Sequence, residues 1–342
     1  MKIVLAEDGD SKAWDDYIYA HPDGCVFQAT AWRDVVESTY SHRPFYLIAK
    51  QDSEIRGVLP IFLFVSRLFG RVMATTPYAS SGAICANDDE TAHELVRKAI
   101  EIARENGVKY LELKSRSMTK CTGLQRHTDY SNYSMPIDEP QVMWRSRLKK
   151  KTRESVKHSE KFGLTFEKGP QLLDDFYKVM VASMRRLGTP VHSKAFYQNI
   201  MTSFGSNANI FAVKYKDVPV TLSLMLRYRQ ELAALSRVSL EEYYHLRPNN
   251  FLFWEIFKDA YSSGVTSIDL GRSLAGSGPA IFKESWGAEA KPLYYEYFLN
   301  LQKTVPKINQ ENHSYDLPRK IWKHIPLSLT KLLGPHLIKN IP

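Results

Sequence analysis

One helix–glycine–strand pattern occurs twice in this chain, in the same register. Asn106-Gly107-Val108-Lys109-Tyr110-Leu111-Glu112-Leu113 aligns without a gap on Ser263-Gly264-Val265-Thr266-Ser267-Ile268-Asp269-Leu270. In the first half, Phe45 to Lys50 and Ile55 to Val65 read as two strands joined across Gln51-Asp52-Ser53-Glu54. Residues 89–106 follow, with Leu95, Ala99, Ile102 and Ala103 on one stripe of a helix. Gly107 ends that helix and Val108 to Lys114 is the next strand. The second half repeats the order. Ile210 to Tyr215 and Val218 to Tyr228 form a hairpin across Lys216-Asp217, Leu232 to Val238 adds a strand, and Pro248 to Ser263 is the helix. Gly264 stops it and Val265 to Leu270 follows. Proline suits a first helical turn because the N–H it lacks would have no intrahelical partner there. Glycine takes the left-handed conformation that ends a helix. This punctuation is common, so by itself it establishes two α/β units and leaves their duplication open.

A chain of 342 residues, 44% of them hydrophobic, holds two ordinary domains with real cores and is not disordered. The longest apolar run, Val58 to Val65, is far short of the ~20 residues that cross a bilayer. The amino terminus turns acidic at Glu7-Asp8, too early for a signal peptide. Cys25, Cys85 and Cys121 are widely spaced, which suits reduced thiols in a cytosol and argues against a metal site. The net charge of +9 is concentrated in two places. Residues 145–161 hold eight Lys/Arg against two Glu, and residues 302–342 hold seven against one Asp and one Glu. Both could face anionic partners.

The residues with most chemical content lie between 241 and 296. Tyr243-Tyr244-His245-Leu246-Arg247-Pro248 leads into the helix. Ile268-Asp269-Leu270-Gly271-Arg272-Ser273 and Gly276-Ser277-Gly278 follow it as a strand and a glycine-rich loop. Phe282-Lys283 then sits on a short helix closed by Trp286-Gly287-Ala288-Glu289. Three glycines let backbone amides approach a ligand. Asp269 can orient Arg272, act as a base or cap its loop, and a structural pairing with Arg272 is the preferred reading. Arg272 can hold a phosphate or carboxylate with two parallel bonds. Tyr243, Tyr244 and Arg247 can grip a sugar or a nucleotide-linked acceptor, or form a polar loop around one core tyrosine. Arg185 and Arg186 flank Gly188-Thr189-Pro190, with Tyr197 beyond, where an anionic acceptor could bind.

Arg247-Pro248-Asn249-Asn250, Asp269-x-Gly271-Arg272-Ser273 and Phe282-Lys283-x-x-Trp286-Gly287-Ala288-Glu289 resemble the FemAB family of aminoacyl- and peptidyltransferases, in particular the FemAB-related proteins of exopolysaccharide and PEP-CTERM systems. The resemblance extends to Phe27-Gln28-x-x-x-Trp32, Gly57-Val58-Leu59-Pro60 and Arg185-Arg186-Leu187-Gly188-Thr189-Pro190. It implies an α/β (α+β) fold of two tandem GNAT-like acyltransferase units, each a mixed, mainly antiparallel sheet with flanking helices. The expected limits are 1–143 for the first unit, 144–163 for a basic linker helix capped by Gly163, 164–301 for the second unit and 302–342 for a basic amphipathic tail. The resemblance implies that Lys283 faces the reacting carbonyl, that Phe282 lies beside it, and that Gln28 and Trp32 belong to the acceptor side. The long coiled-coil insertion of the characterised enzymes is missing, and so is the glycine loop with which ordinary GNAT enzymes hold coenzyme A.

The expected activity is direct acyl or aminoacyl transfer, with no bound cofactor and no metal, to an anionic cell-envelope, peptidoglycan or exopolysaccharide precursor. The donor is an aminoacyl-tRNA, which the basic linker would attract, or an acyl-CoA. A non-catalytic scaffold of an envelope assembly complex is the alternative. The tail, with prolines at 318, 326, 335 and 342, reads as short amphipathic helices. They either lie in a membrane interface, which would put a cytoplasmic protein at the inner face of the membrane, or pack on the second unit.

Overall fold

Both hairpins turn on two residues with positive φ. Asp52 and Ser53 have φ of 51° and 72°, and Lys216 and Asp217 have 48° and 64°. This is the geometry of a tight turn whose twist matches that of the strands it joins. The same local solution at both expected turns is the first structural sign of two like units. The computed structural model describes residues 1–66, 70–306 and 316–341.

The first unit comprises Met1–Ser131, Pro292–Asn309 and Lys339–Pro342. It opens with β1 (Lys2–Leu5), α1 (Ser11–Ala20) and α2 (Thr30–Tyr40), then the long hairpin β2 (Arg43–Gln51) and β3 (Glu54–Ser66). β4 (Gly70–Ala74), β5 (Cys85–Ala86), α3 (Asp89–Glu105), β6 (Tyr110–Ser115) and β7 (Gln125–His127) follow. The Asp88 carboxylate caps α3 by accepting the Thr91 N–H at 2.8 Å. Leu95, Ala99, Ile102 and Ala103 are buried against Leu47, Leu59, Ile61 and Leu111. Gly107, at φ 58°, ends the helix. Cys25, Cys85 and Cys121 are buried and form no disulfide among the described residues.

The second unit comprises Asn132–Lys291 and Gln310–Ile338. β8 (Tyr130–Pro136), α4 (Pro140–Val142), α5 (Lys150–Ser159), β9 (Thr165–Lys168), α6 (Leu173–Leu187) and α7 (Lys194–Phe204) precede the hairpin β10 (Ala208–Tyr215) and β11 (Val218–Tyr228). β12 (Glu231–Ser239), α8 (Pro248–Ser262), β13 (Ser267–Leu274), α9 (Gly278–Ser285) and β14 (Glu289–Pro292) complete the order. The end of α8 and the start of β13 stand at one constant offset from the end of α3 and the start of β6, as the repeated register requires. Leu252, Phe253, Ile256, Phe257 and Ala260 bury one face of α8 against the sheet.

β15 (Tyr294–Leu299) pairs antiparallel with β6 and β7 and so belongs to the first sheet, whose order is β1-β2-β3-β4-β6-β15-β7. β8 lies in the second sheet, β14-β8-β13-β12-β11-β10-β9. In each sheet a parallel pair, β4 with β6 and β12 with β13, stands among antiparallel neighbours. The fold class is therefore the one expected, two mixed sheets with flanking helices. The expected boundaries change, because each half of the chain supplies a strand to the other half's sheet. Residues 132–163 fall within the second unit, and 292–301 within the first.

Two further expectations are corrected. The basic stretch is not one helix. A π-turn over Met143–Arg147 ends at Leu148, whose ψ of 127° is extended, and α5 restarts at Lys150. Leu148 and Met143 are buried, and the break lets both reach the core. Gly163 does cap the segment, at φ 66°. The strand expected to stop at Leu270 continues to Leu274, because Gly271 adopts a φ of 70° within it and bends the strand without ending it. In the tail, α10 (Asp316–His324) and α11 (Leu327–Ile338) form; 307–315 and Pro342 lie outside the described residues. Among the described residues no helix is long and apolar enough to cross a membrane.

Candidate active site

In the second unit, two parallel strands start together and then part. β12 and β13 pair only at Glu231–Ser267, Leu232–Ile268 and Ala233–Asp269. Beyond that point β12 carries one extra residue, Leu235, against β11, where Met225 pairs with Ala234 and Leu224 with Ser236. β13 bends at Gly271. Backbone groups on both strands are thereby left without each other as ladder partners. The corresponding parting in the first unit is filled by its own chain. There the Thr75 N–H bonds to Glu112 O, and the Gly82 and Ala83 N–H groups both bond to Lys114 O, each at 3.0 Å.

α9 brings Lys283 to the parted strands of the second unit. Ser277 starts the helix by accepting the Ala280 N–H at 3.3 Å. Two turns later Lys283 Nζ donates to Gly271 O at 2.8 Å and to Arg272 O at 3.1 Å. The bend at Gly271 is what aims these carbonyls at the ammonium. Nζ also lies 5.2 Å from the centre of the Tyr133 ring. Lys283 is buried, with 7% of its surface exposed. Burial, reinforced by the Arg237 cation and opposed by the Asp269 carboxylate, lowers its pKa to about 8. Among the described residues, two of its three N–H bonds have acceptors, leaving one donor for a ligand.

The neighbours that set this environment come from β8, β12, β13, α8 and α9 itself. Asp269 is buried, and its Oδ1 accepts the Gly271 N–H at 2.8 Å and Asn132 Nδ2 at 2.9 Å. It thus fixes the bend that presents the carbonyls. Asn132 is 7% exposed, and its Oδ1 has no partner among the described residues. Arg237 places its guanidinium against two touching rings, 4.7 Å from the centre of Phe253 and 4.5 Å from that of Phe282. Burial lowers its pKa to about 10, opposed by Tyr244, so it remains charged at neutral pH. Phe253 and Phe257 also pack on Trp286, which is fully buried, at 5.5 and 5.2 Å between ring centres. Phe282 and Trp286 of the sequence motif thus meet one aromatic wall, while Lys283 faces Tyr133. Removing Trp286 or Phe253 to alanine would cost about 3–5 kcal/mol of fold stability.

The other sequence candidates are distributed as follows. Arg272 is exposed next to the bend, and its carbonyl serves Lys283. Arg186 donates to the Tyr244 hydroxyl at 3.2 Å and pairs with Glu241 at 3.5 Å, so Tyr244 and Arg186 form one exposed cluster. Tyr243 is half-buried against the core beside Tyr215. Arg247 is exposed and, at φ 54°, turns the chain into α8. Gly276 forms the turn before α9 at φ 71°, and Gly278 opens that helix. Tyr197 is buried among Phe176, Tyr177, His192 and Phe196, where it packs the core of the second unit. Gln28 and Trp32 are buried in the first unit. Gln28 accepts the Cys25 N–H at 2.9 Å and donates to Ala83 O at 3.3 Å, and Trp32 Nε1 donates to Pro77 O at 3.1 Å.

Sequence reasoning missed Arg237, Asn132 and Tyr133. Arg237 left a trace, a single cation inside the apolar run Leu232 to Val238. Asn132 and Tyr133 left none, since they reach the site on the exchanged strand β8. The basic segment also touches the site. Thr152 Oγ1, on α5, donates to Ser285 O at 2.8 Å, and Ser285 is two residues beyond Lys283. Arg145, Lys149, Lys150, Lys151, Lys157 and Lys161 are exposed along that segment.

Comparison with known proteins agrees with this geometry. A family model described as an acetyltransferase (GNAT) domain matches residues 144–284, which include Arg237, Asp269 and Lys283. Over 251 residues, 66% of this chain, the sequence is 25% identical to the lipid II:glycine glycyltransferase of Staphylococcus saprophyticus subsp. saprophyticus. The match spans 58% of that protein, somewhat over half its length. The fold is similar to the crystal structure of FemX, with a TM-score of 0.70 at 16% identity over 88% of this chain and 98% of that one. It is also similar to a tandem GNAT protein from the clavulanic acid biosynthesis pathway, with a TM-score of 0.58 at 9% identity over 86% and 97% of the two chains. The chain is thus similar to FemX and to tandem GNAT proteins in fold, and the Lys283 site lies in the unit that the GNAT domain model matches.

Proposed function

We propose that this protein is an acyltransferase that moves an aminoacyl group from aminoacyl-tRNA to a cell-envelope precursor by direct attack. The observation that carries the reading is Lys283, a buried ammonium that has two acceptors for its three N–H bonds among the described residues and lies where β12 and β13 part. Attack of an acceptor amine or hydroxyl on the donor ester forms the new C–N or C–O bond and puts negative charge on the carbonyl oxygen. The Lys283 ammonium offsets that charge. Collapse breaks the ester C–O bond, and the proton lost by the acceptor ends on the departing ribose hydroxyl. Removing such a donor typically costs about 3–4 kcal/mol of barrier. Asp269 positions the bend through the Gly271 N–H. Arg237 is placed to meet a donor phosphate or an acidic acceptor.

The staphylococcal relative is a lipid II:glycine glycyltransferase, which supports a lipid-linked peptidoglycan precursor as the acceptor class. An exopolysaccharide precursor is the other acceptor consistent with the chemistry. The exposed cations of 145–161, tied to α9 through Thr152 and Ser285, support an RNA-linked donor. The description of the matching family as acetyltransferases favours a second reading, an acyl-CoA donor. Two measurements separate them: transfer of a labelled amino acid from aminoacyl-tRNA to a lipid-linked precursor, and thermal protection by acetyl-CoA. Transfer without acetyl-CoA protection supports the proposal. Protection without transfer replaces it with the thioester reading. Neither result, together with full function of Lys283→Ala in cells, would favour the scaffold.

A further inference from the structure

The tail helices of the second unit use one face to pack and leave another bare. Trp322 on α10 and Thr330 and Gly334 on α11 are buried. Arg185 Nε, on α6, donates to Ile325 O at 2.6 Å. Two glycines permit the close approach: a Cβ at Gly188 would stand 2.8 Å from Arg319 O, and one at Gly334 would stand 2.8 Å from Val191 O. The helices are thus seated by specific contacts. Yet Leu317 is 67% exposed, Ile321 56% and Leu332 63%, with Leu329 at 46% and Leu333 at 44%. On α11, positions 329, 332 and 333 share one side of a helix. Large apolar side chains left exposed together on one side of a helix mark a place where something docks.

The charges say what. Lys320 and Lys323 are exposed on α10 with Leu317 and Ile321, Lys331 on α11 instead lies 5.6 Å over the Tyr177 ring, and Asp316 is the only acidic residue in 316–341. Leucines interleaved with lysines on short helices, one ending before Pro326 and the other carrying Pro335, suit a surface that is apolar below and anionic at its rim. A protein groove would need a defined shape to oppose, whereas a bilayer accepts separate side chains at one depth while its headgroups meet the cations. We propose that α10 and α11 dock the second unit onto an anionic lipid bilayer, with Leu317, Ile321, Leu329, Leu332 and Leu333 entering the headgroup–acyl boundary. The surface carries this inference independently of any transfer chemistry.

Flotation of the full chain tests it, with vesicles of phosphatidylglycerol and phosphatidylcholine against vesicles of phosphatidylcholine alone. The protein is expected to float with the anionic vesicles and to stay behind with the neutral ones. Leu332→Glu combined with Leu333→Glu should reduce the bound fraction at least about tenfold, since two apolar side chains no longer leave water. Lys320→Gln with Lys323→Gln should weaken anionic binding and flatten its dependence on salt. These side chains are exposed, so both variants should melt with the wild type. Absence of binding to anionic vesicles, or flotation of the leucine double variant like wild type, would overturn the proposal. A wild-type dimer that the leucine double variant dissociates, without vesicle binding, would assign the face to a second copy instead. Either outcome leaves the transfer reading standing, and loss of transfer in a Lys283 variant leaves flotation unchanged.

Discussion

The guanidinium of Arg237 lies 4.5 Å from the centre of the Phe282 ring, and its charge helps hold the adjacent Lys283 below the ordinary lysine pKa. Phe282 therefore serves to fix a cation beside the lysine. On the proposed reading the ammonium is the working form, so the rate should fall as pH rises through about 8, the value to which Lys283 is lowered. Arg237→Gln removes the second-largest cause of that lowering. Its high-pH limb should move upward, with the rate at neutral pH also reduced. A pH–rate profile of both proteins reads this directly, and an unmoved limb would mean that Arg237 does not set the charge of Lys283.

Burial of Lys283 also predicts how stability depends on pH. Its folded pKa of about 8 lies below the ordinary value of 10.5. Below pH 8 the cost of burying the charge is present in full. Between 8 and 10.5 the folded protein gives up a proton that the unfolded chain keeps, so the folded state gains as pH rises. Lys283→Met has no such proton. The stability of wild type relative to Lys283→Met should therefore improve across that window, by up to about 3 kcal/mol. Denaturant melts of both at about pH 7.5 and about pH 10, either side of the lowered pKa, measure the change.

Much of this site was legible in the sequence, for identifiable reasons. The helix–glycine–strand register, the two tight turns and the Phe282-Lys283 block depend on local chemistry, and local chemistry is written in neighbouring residues. Arg237 was not recognised because a cation inside an apolar strand signals a fault or a site equally well until its partners, Phe253 and Phe282, are seen around it. Asn132 and Tyr133 were invisible because β8 joins the second sheet from before the basic segment. Tyr197, Gln28 and Trp32, suggested by residue type or by resemblance, lie in the packed interior, where they make ring contacts and backbone hydrogen bonds that residue type alone does not specify. The single basic helix failed at Leu148, where burial of one leucine outweighs helix continuity.

Asn132 should matter through geometry alone. Its amide donates to Asp269, which in turn fixes the Gly271 bend. A hydrogen bond to a buried carboxylate is worth about 1.5–3 kcal/mol. Asn132→Ala should lower kcat by about tenfold to a hundredfold with little change in donor KM, and the chain should remain folded. Gly271→Ala acts on the same bend through backbone strain of about 1–2 kcal/mol at a φ of 70°. Steady-state kinetics alongside thermal melts distinguish a misplaced lysine from an unfolded protein.

The basic segment should affect donor capture and not the chemical step. Lys149, Lys150 and Lys151 are exposed beside Thr152. Changing all three to glutamine should raise the KM for aminoacyl-tRNA and reduce the slope of log affinity against log salt, by up to about 0.7–0.9 for each phosphate that the segment no longer neutralises. The rate at saturating donor should hold. An unchanged salt slope would mean that RNA does not use this surface.

The role of the buried ammonium is tested most directly by transfer of a labelled amino acid from aminoacyl-tRNA to a lipid-linked cell-wall precursor, comparing wild type with Lys283→Met. The expected result is a fall in kcat of about 10²- to 10³-fold while donor affinity and the folded state persist. Transfer by Lys283→Met at the wild-type rate would contradict it.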